Sequence, residues 1–139
     1  MKNKVLYYIL SFTWGLPMTL IGLVPALVLI CLGYKANTYG GCLHFTVGKK
    51  WGGMSLGTVI ITDDNAPKHT MNHEFGHSIQ NCYYGFLMPF IVCIPSAIRY
   101  WYRKLRYQKR NILPPTCYDD AWFEGQATRW GTEAIKYFT

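Results

Sequence analysis

His73, Glu74 and His77 stand in the run Thr70-Met71-Asn72-His73-Glu74-Phe75-Gly76-His77-Ser78-Ile79-Gln80. Two histidines four residues apart share one face of an α-helix, so both imidazoles can point at one divalent cation. A carboxylate beside the first histidine can then reach a water held by that cation and take its proton. The spacing predicts a metal-binding helix with a general base built into it. A helix that merely carries two hydrogen-bonded histidines is the competing reading.

The flanks bear on that choice. Thr70 and Met71 precede the motif, Phe75, Gly76 and Ser78 are uncharged, and Ile79 is apolar. Residues 70–79 thereby resemble the HExxH zinc metallopeptidases, the zincins, and the HEFGHxxQ run resembles small bacterial membrane proteins of unassigned function. The zincin resemblance implies one Zn²⁺ held by His73 and His77, with Glu74 as general base in the hydrolysis of a peptide or protein substrate. Catalytic zinc takes three protein ligands and leaves a fourth position open. The metzincin continuation HExxHxxGxxH is absent, because Gln80 and Tyr83 occupy its Gly and third His positions.

In the gluzincin form the third ligand is a Glu on a later helix, and Glu124, 47 residues after His77, is the residue that matches. Asp120, one turn earlier, is expected to accept the second ring N–H of a ligating histidine. Gluzincins commonly carry a carboxylate one turn after the ligand, where this chain has Thr128, which leaves the roles of Asp120 and Glu124 exchangeable. His69 shares the histidine face but lies about 12 Å along the axis from His77, too far to hold the same ion. Tyr118, His69 and Arg129 are the candidate donors to a developing oxyanion.

These residues need elements to position them. Cys42–Val47 and Leu56–Thr62 read as two strands around the turn-rich residues 48–53, for which a β-hairpin is the simplest arrangement. Asp63-Asp64-Asn65-Ala66-Pro67 supplies helix-start signals, and a helix over Pro67–Cys82 follows, with Gly85 ending it. Gly76 inside that helix costs about 1 kcal/mol relative to Ala, which close approach of another backbone would explain. A closing helix is expected over Asp119–Tyr137.

The remaining residues point to a bilayer. Of 139 residues 50% are apolar and only 15% charged, well below the roughly 25% of soluble domains. Val5–Leu32 contains no charged side chain, and as one helix its 28 residues would reach about 42 Å against a hydrocarbon core of about 30 Å. Gly15, Pro17, Gly22 and Pro25 interrupt it, so it reads as one kinked span or a helical hairpin. A second apolar run, Phe86–Ile98, is too short to span and is expected to be re-entrant, interfacial or buried.

The net charge of +7 is concentrated in Arg99, Arg103, Lys104, Arg106, Lys109 and Arg110, interleaved with aromatics. Beside an apolar run this suits anionic lipid headgroups better than nucleic acid. The five cysteines show no CxxC pair and read as free thiols of a reducing compartment. The expectation is an α+β chain with a membrane helix or helical hairpin over residues 1–36. A small zincin-like domain over residues 37–139 would follow, in a bacterial inner membrane with its site facing the cytoplasm. A non-enzymatic membrane protein, whose basic arm binds anionic lipid or a partner, is the alternative.

Overall fold

The computed structural model describes residues 1–138. The chain is α+β: helices α1 (Lys4–Ser11) and α2 (Leu16–Cys31), strands β1 (Asn37–Tyr39), β2 (Cys42–Thr46), β3 (Gly53–Leu56) and β4 (Val59–Thr62), then helices α3 (Lys68–Tyr84), α4 (Ile94–Arg106) and α5 (Trp122–Ala134). The strands form one sheet in the order β1-β2-β4-β3.

The expected hairpin between the two apolar strand runs is not what forms. β2 and β4 are neighbours but run parallel, with Leu43 opposite Val59 and Thr46 opposite Thr62. The reason is an additional strand. β3 turns back onto β4 at Gly57, whose φ of 61° is open to glycine, so the chain reverses twice between β2 and β4. β1 pairs antiparallel with β2 across Gly40 and Gly41, leaving β1 and β3 as the edges. All four residues of β4 are buried.

The apolar N-terminal run is broken. Helices α1 and α2 meet at 87°, and among the described residues no single helix is long and apolar enough to cross a membrane. The 16 residues of α2 reach only about 24 Å. Asn3 caps α1 through its side-chain oxygen, and Thr19 Oγ1 donates to the Ser11 carbonyl across the bend. Nor does the packing separate residues 1–36 from the rest. Tyr7 sits in a core with Phe75, Ile79 and Phe138, and a Cβ at Gly22 would strike the Leu56 carbonyl. One face of α2 (Met18, Thr19, Gly22, Ala26) is buried against the domain, while Leu20, Val24, Leu27 and Val28 are exposed.

Helix α3 begins after Asp63, whose carboxylate accepts N–H bonds from Trp51, Gly52 and Asn65 and so ties the β2–β3 loop to the helix start. From Asn72 to Cys82 it is wholly buried, and it ends at Gly85, with φ 54°. The chain then bends by 118° into a second helical rod. That rod starts with a π-turn over Pro89–Cys93, where Ile94 N–H donates to the Pro89 carbonyl, and continues as α4. Pro95 has no N–H to give, which suits a widened turn at this point.

Helices α3 and α5 cross in backbone contact. A Cβ on Gly76 would fall on the Ala127 carbonyl oxygen, and one on Gly131 would fall on that of Asn72. This is the close approach that the mid-helix glycine required. Because the obstructing atoms are backbone, neither helix can yield by changing a rotamer. Gly76→Ala and Gly131→Ala are each expected to destabilise the fold by at least about 2 kcal/mol, measured as a lowered Tm or denaturation midpoint. Wild-type stability in both variants would contradict the contact.

Candidate metal centre

His73 and His77 face Glu124 at the α3–α5 crossing. The Glu124 Oε2 oxygen lies 3.1 Å from His73 Nε2 and 3.2 Å from His77 Nε2, and the two Nε2 atoms are 3.1 Å apart. Glu124 is fully buried, its carboxylate facing the two imidazole Nε2 atoms with no backbone or amide N–H donating to it. An orphaned buried carboxylate is costly unless a positive charge compensates it.

The hydrogen bonds on the far side of each imidazole decide where the ring protons sit. His77 Nδ1 is 2.8 Å from Gln80 Oε1, while Gln80 Nε2 donates to the Phe123 carbonyl and to Gln126 Oε1. With its amide so oriented, Gln80 can only accept, so His77 Nδ1 carries the proton. His73 Nδ1 is 2.7 Å from Thr128 Oγ1, and that hydroxyl donates to Asp119 Oδ2. Thr128 therefore accepts from His73 Nδ1–H. With Nδ1 the donor to Gln80 and to Thr128, Nε2 is the ring atom that faces Glu124 in both histidines. The three atoms lie within reach of one ion, so His73, His77 and Glu124 could together hold a metal.

The electrostatics show what the cluster attracts, which is positive charge, whether from a cation or from a proton on an imidazole. Burial would push the Glu124 carboxyl up, but the imidazoles of His73 and His77 outweigh it and hold it well below the usual carboxylate range. Burial would likewise depress His77, yet hydrogen bonding to Glu124 and the charges of Glu74 and Glu124 raise it. The Glu74 carboxyl is raised, first by burial and further by Glu124, against the opposing pull of the two histidines. A carboxyl raised in this way holds a captured proton better than a solvated one.

Glu74 borders a cleft of about 750 Å³ whose lining includes His73, His77, Tyr118 and the whole of edge strand β3. Gly53 on β3 makes room for it, since a Cβ there would come within 2.9 Å of Glu74 Oε1. Tyr118 stands over the cluster, its ring 6.2 Å from that of His73. Burial, reinforced by the Glu124 charge, pushes its hydroxyl up to about 12, so it stays protonated and able to donate. Two arginines of α4 hold the segment that carries it: Arg99 donates to the Cys117 and Tyr118 carbonyls and Arg103 to that of Thr116.

Some expected residues lie elsewhere. Asp120 does not reach a histidine; its carboxylate accepts the Cys117 N–H. The helix begins only at Trp122, and Ala121 is extended, so Asp120 is not on the helical face that carries Glu124. Its expected place beside a ligating imidazole is taken by Thr128, backed by Asp119. His69 is an exposed rim residue, 3.9 Å from Asp119 and outside the cluster. Arg129 is exposed and does not line the cleft. Among the residues that sequence reasoning did not assign, Gln80 had a visible signal, because it lies one helical turn from His77.

No protein family, curated protein or solved structure matches the chain.

Equilibrium dialysis against Zn²⁺ separates these roles. Glu124→Ala and His77→Ala are expected to lose stoichiometric binding, Thr128→Val to bind about 10- to 100-fold more weakly, and Asp120→Ala to bind as wild type. Undiminished zinc in Glu124→Ala would remove the third ligand, and a loss in Asp120→Ala matching that of Thr128→Val would return Asp120 to the site.

Proposed function

We propose that the protein is a membrane-attached, zinc-dependent peptidase that hydrolyses peptide bonds in its cleft with Glu74 as general base. The observation that carries this reading is the set of three donor atoms, His73 Nε2, His77 Nε2 and Glu124 Oε2, within 3.2 Å of one another beside a second buried carboxylate. Tetrahedral zinc, with bonds of 2.0–2.2 Å, separates its ligand atoms by about 3.3 Å, so the two nitrogens and one oxygen fit that ion with little adjustment. When bound, such an ion acidifies water and polarises a carbonyl.

The chain supplies the other groups. Glu74 takes the proton of the attacking water on a carboxylate oxygen as the water oxygen bonds to the carbonyl carbon, and passes it to the leaving nitrogen as the C–N bond breaks. Tyr118 donates its hydroxyl proton in a hydrogen bond to the developing oxyanion. β3 is an edge strand, and an extended peptide can add to it by backbone pairing alongside Glu74. In zincins a sheet edge commonly serves in this way. Here the strand placed to do so is β3; β4, inside the sheet, is not. The basic residues of 99–110 favour a cytoplasmic position for the site.

Glu74→Gln should retain zinc and lose turnover of an unstructured reporter peptide by at least about 100-fold. Tyr118→Phe should lower kcat by about 10- to 100-fold with KM little changed. Equal activity in wild type and Glu74→Gln would sink the mechanism. Stoichiometric zinc without hydrolysis in either would leave a metal-stabilised, non-enzymatic protein whose basic arm binds lipid.

A further inference from the structure

Helix α4 and the π-turn before it carry an apolar stripe that covers nothing. Phe90, Ile94, Ile98, Trp101 and Leu105 recur every three or four residues along one face, and each is between 49% and 68% exposed. Among the described residues α4 has none that is buried. An unpartnered apolar stripe of this length marks a docking surface.

Three observations identify what it docks on. The first is charge. No acidic residue occurs between Glu74 and Asp119, while six basic residues lie between Arg99 and Arg110. Arg99 and Arg103 are committed to the carbonyls of residues 116–118. Arg106, Lys109 and Arg110 remain on the open surface. The second is continuity: Trp14 of the α1–α2 bend packs edge-on against Phe86 at 4.6 Å, and Met18 of α2 packs with Met88 and Val92. Leu16 and Leu20 of α2, which contacts the turn over Gly85–Leu87, are exposed, as are Phe86, Leu87 and Phe90. The third is shape, since the two apolar helix pairs that reach spanning length are bent by 87° and 118°, and a helix lying in the bilayer surface needs no such length.

We infer that α4 lies in the headgroup layer of an anionic bilayer, and that the cleft receives peptide segments presented at that surface. Helical geometry makes the connection. Ser96, Ala97, Tyr100 and Lys104 line the cleft, about a quarter turn around the helix from the stripe, and Trp101 at the border belongs to both. A helix seated on the bilayer by one face holds the cleft wall along the membrane plane. The juxtamembrane part of a membrane protein, or a lipid-anchored peptide, then meets β3 and Glu74 without leaving the surface. This substrate class rests on the peptidase reading; the docking does not.

The full chain is reconstituted in vesicles of phosphatidylglycerol and phosphatidylcholine, the latter carrying a photoactivatable diazirine on its acyl chain. Mass spectrometry should find label on Phe90, Ile94, Ile98 and Leu105 as well as within residues 5–32. Label confined to 5–32 overturns the docking, whether a second copy or a soluble partner then covers the stripe. In the second arm the double variant Ile98→Glu, Leu105→Glu is compared with wild type on one reporter peptide, either free or lipid-tethered to the vesicles, with zinc stoichiometry confirming folding. Cleavage of the free peptide should stay within about twofold of wild type while the tethered peptide is cut at least about tenfold more slowly. Equal loss on both, or loss on neither, overturns the coupling. Label on the stripe in a wild-type protein that cuts neither peptide sustains the docking and rejects the substrate claim.

Discussion

The contact between Gly76 and Ala127, mirrored by that between Gly131 and Asn72, sets how near helices α3 and α5 can come. Side chains of ordinary size hold helix axes 8–10 Å apart, and only glycine on both sides lets carbonyl oxygens lie against Cα atoms. The metal-site residues are placed around this crossing: His73 and His77 flank Gly76 on α3, while Glu124 and Thr128 flank Ala127 on α5. Each glycine costs about 1 kcal/mol of helix propensity. What the cost secures is short reach. A carboxylate on a side chain as brief as glutamate arrives within 3.2 Å of two imidazoles without leaving its helix.

The same closeness makes the interior polar. Asn72, His73, Glu74, His77, Ser78, Gln80, Asn81 and Glu124 are all buried, an unusual concentration for one helix pair. Most are satisfied by one another: Gln80 spans from His77 to Phe123 and Gln126, and Tyr84 also donates to Gln126. A half-satisfied network is worse than an apolar core. Besides Asn81 Oδ1, the unpartnered oxygens of this set are those of Glu124, which face only the two imidazoles, at a point where a cation could complete the arrangement.

What the sequence could reveal follows from how local each feature is. The histidine pair, its adjacent glutamate and the demand made by Gly76 lie within one helix, where spacing along the chain is spacing in space. Glu124 was reached only by resemblance, because nothing in residues 78–123 dictates which later turn returns to the first helix. Asp120 shows the failure of extrapolated periodicity: the i to i+4 relation to Glu124 holds only if the helix extends back to residue 120, and the extended Ala121 ends it. Strand pairing failed for the same reason. Apolar runs mark strands, but whether 42–47 and 56–62 meet antiparallel or parallel depends on a third strand hidden in a glycine-rich segment that reads as a turn.

The basic stretch shows a subtler limit of composition, since six like charges in one run suggest one role and the fold gives them two. Arg99 and Arg103 turn inward, each guanidinium 5.6 Å from the Tyr118 ring and bonded to the carbonyls around it. Replacement of Arg99 by lysine would keep the charge but lose the planar fork that reaches two carbonyls at once. Through that fork α4 holds the turn bearing Asp119, Asp119 receives the Thr128 hydroxyl, and Thr128 fixes the tautomer of His73. Helix α4 is thus joined by three consecutive polar contacts to a ring nitrogen of the candidate metal centre. The exposed helix α4 is mechanically continuous with the His73–Glu124 cluster.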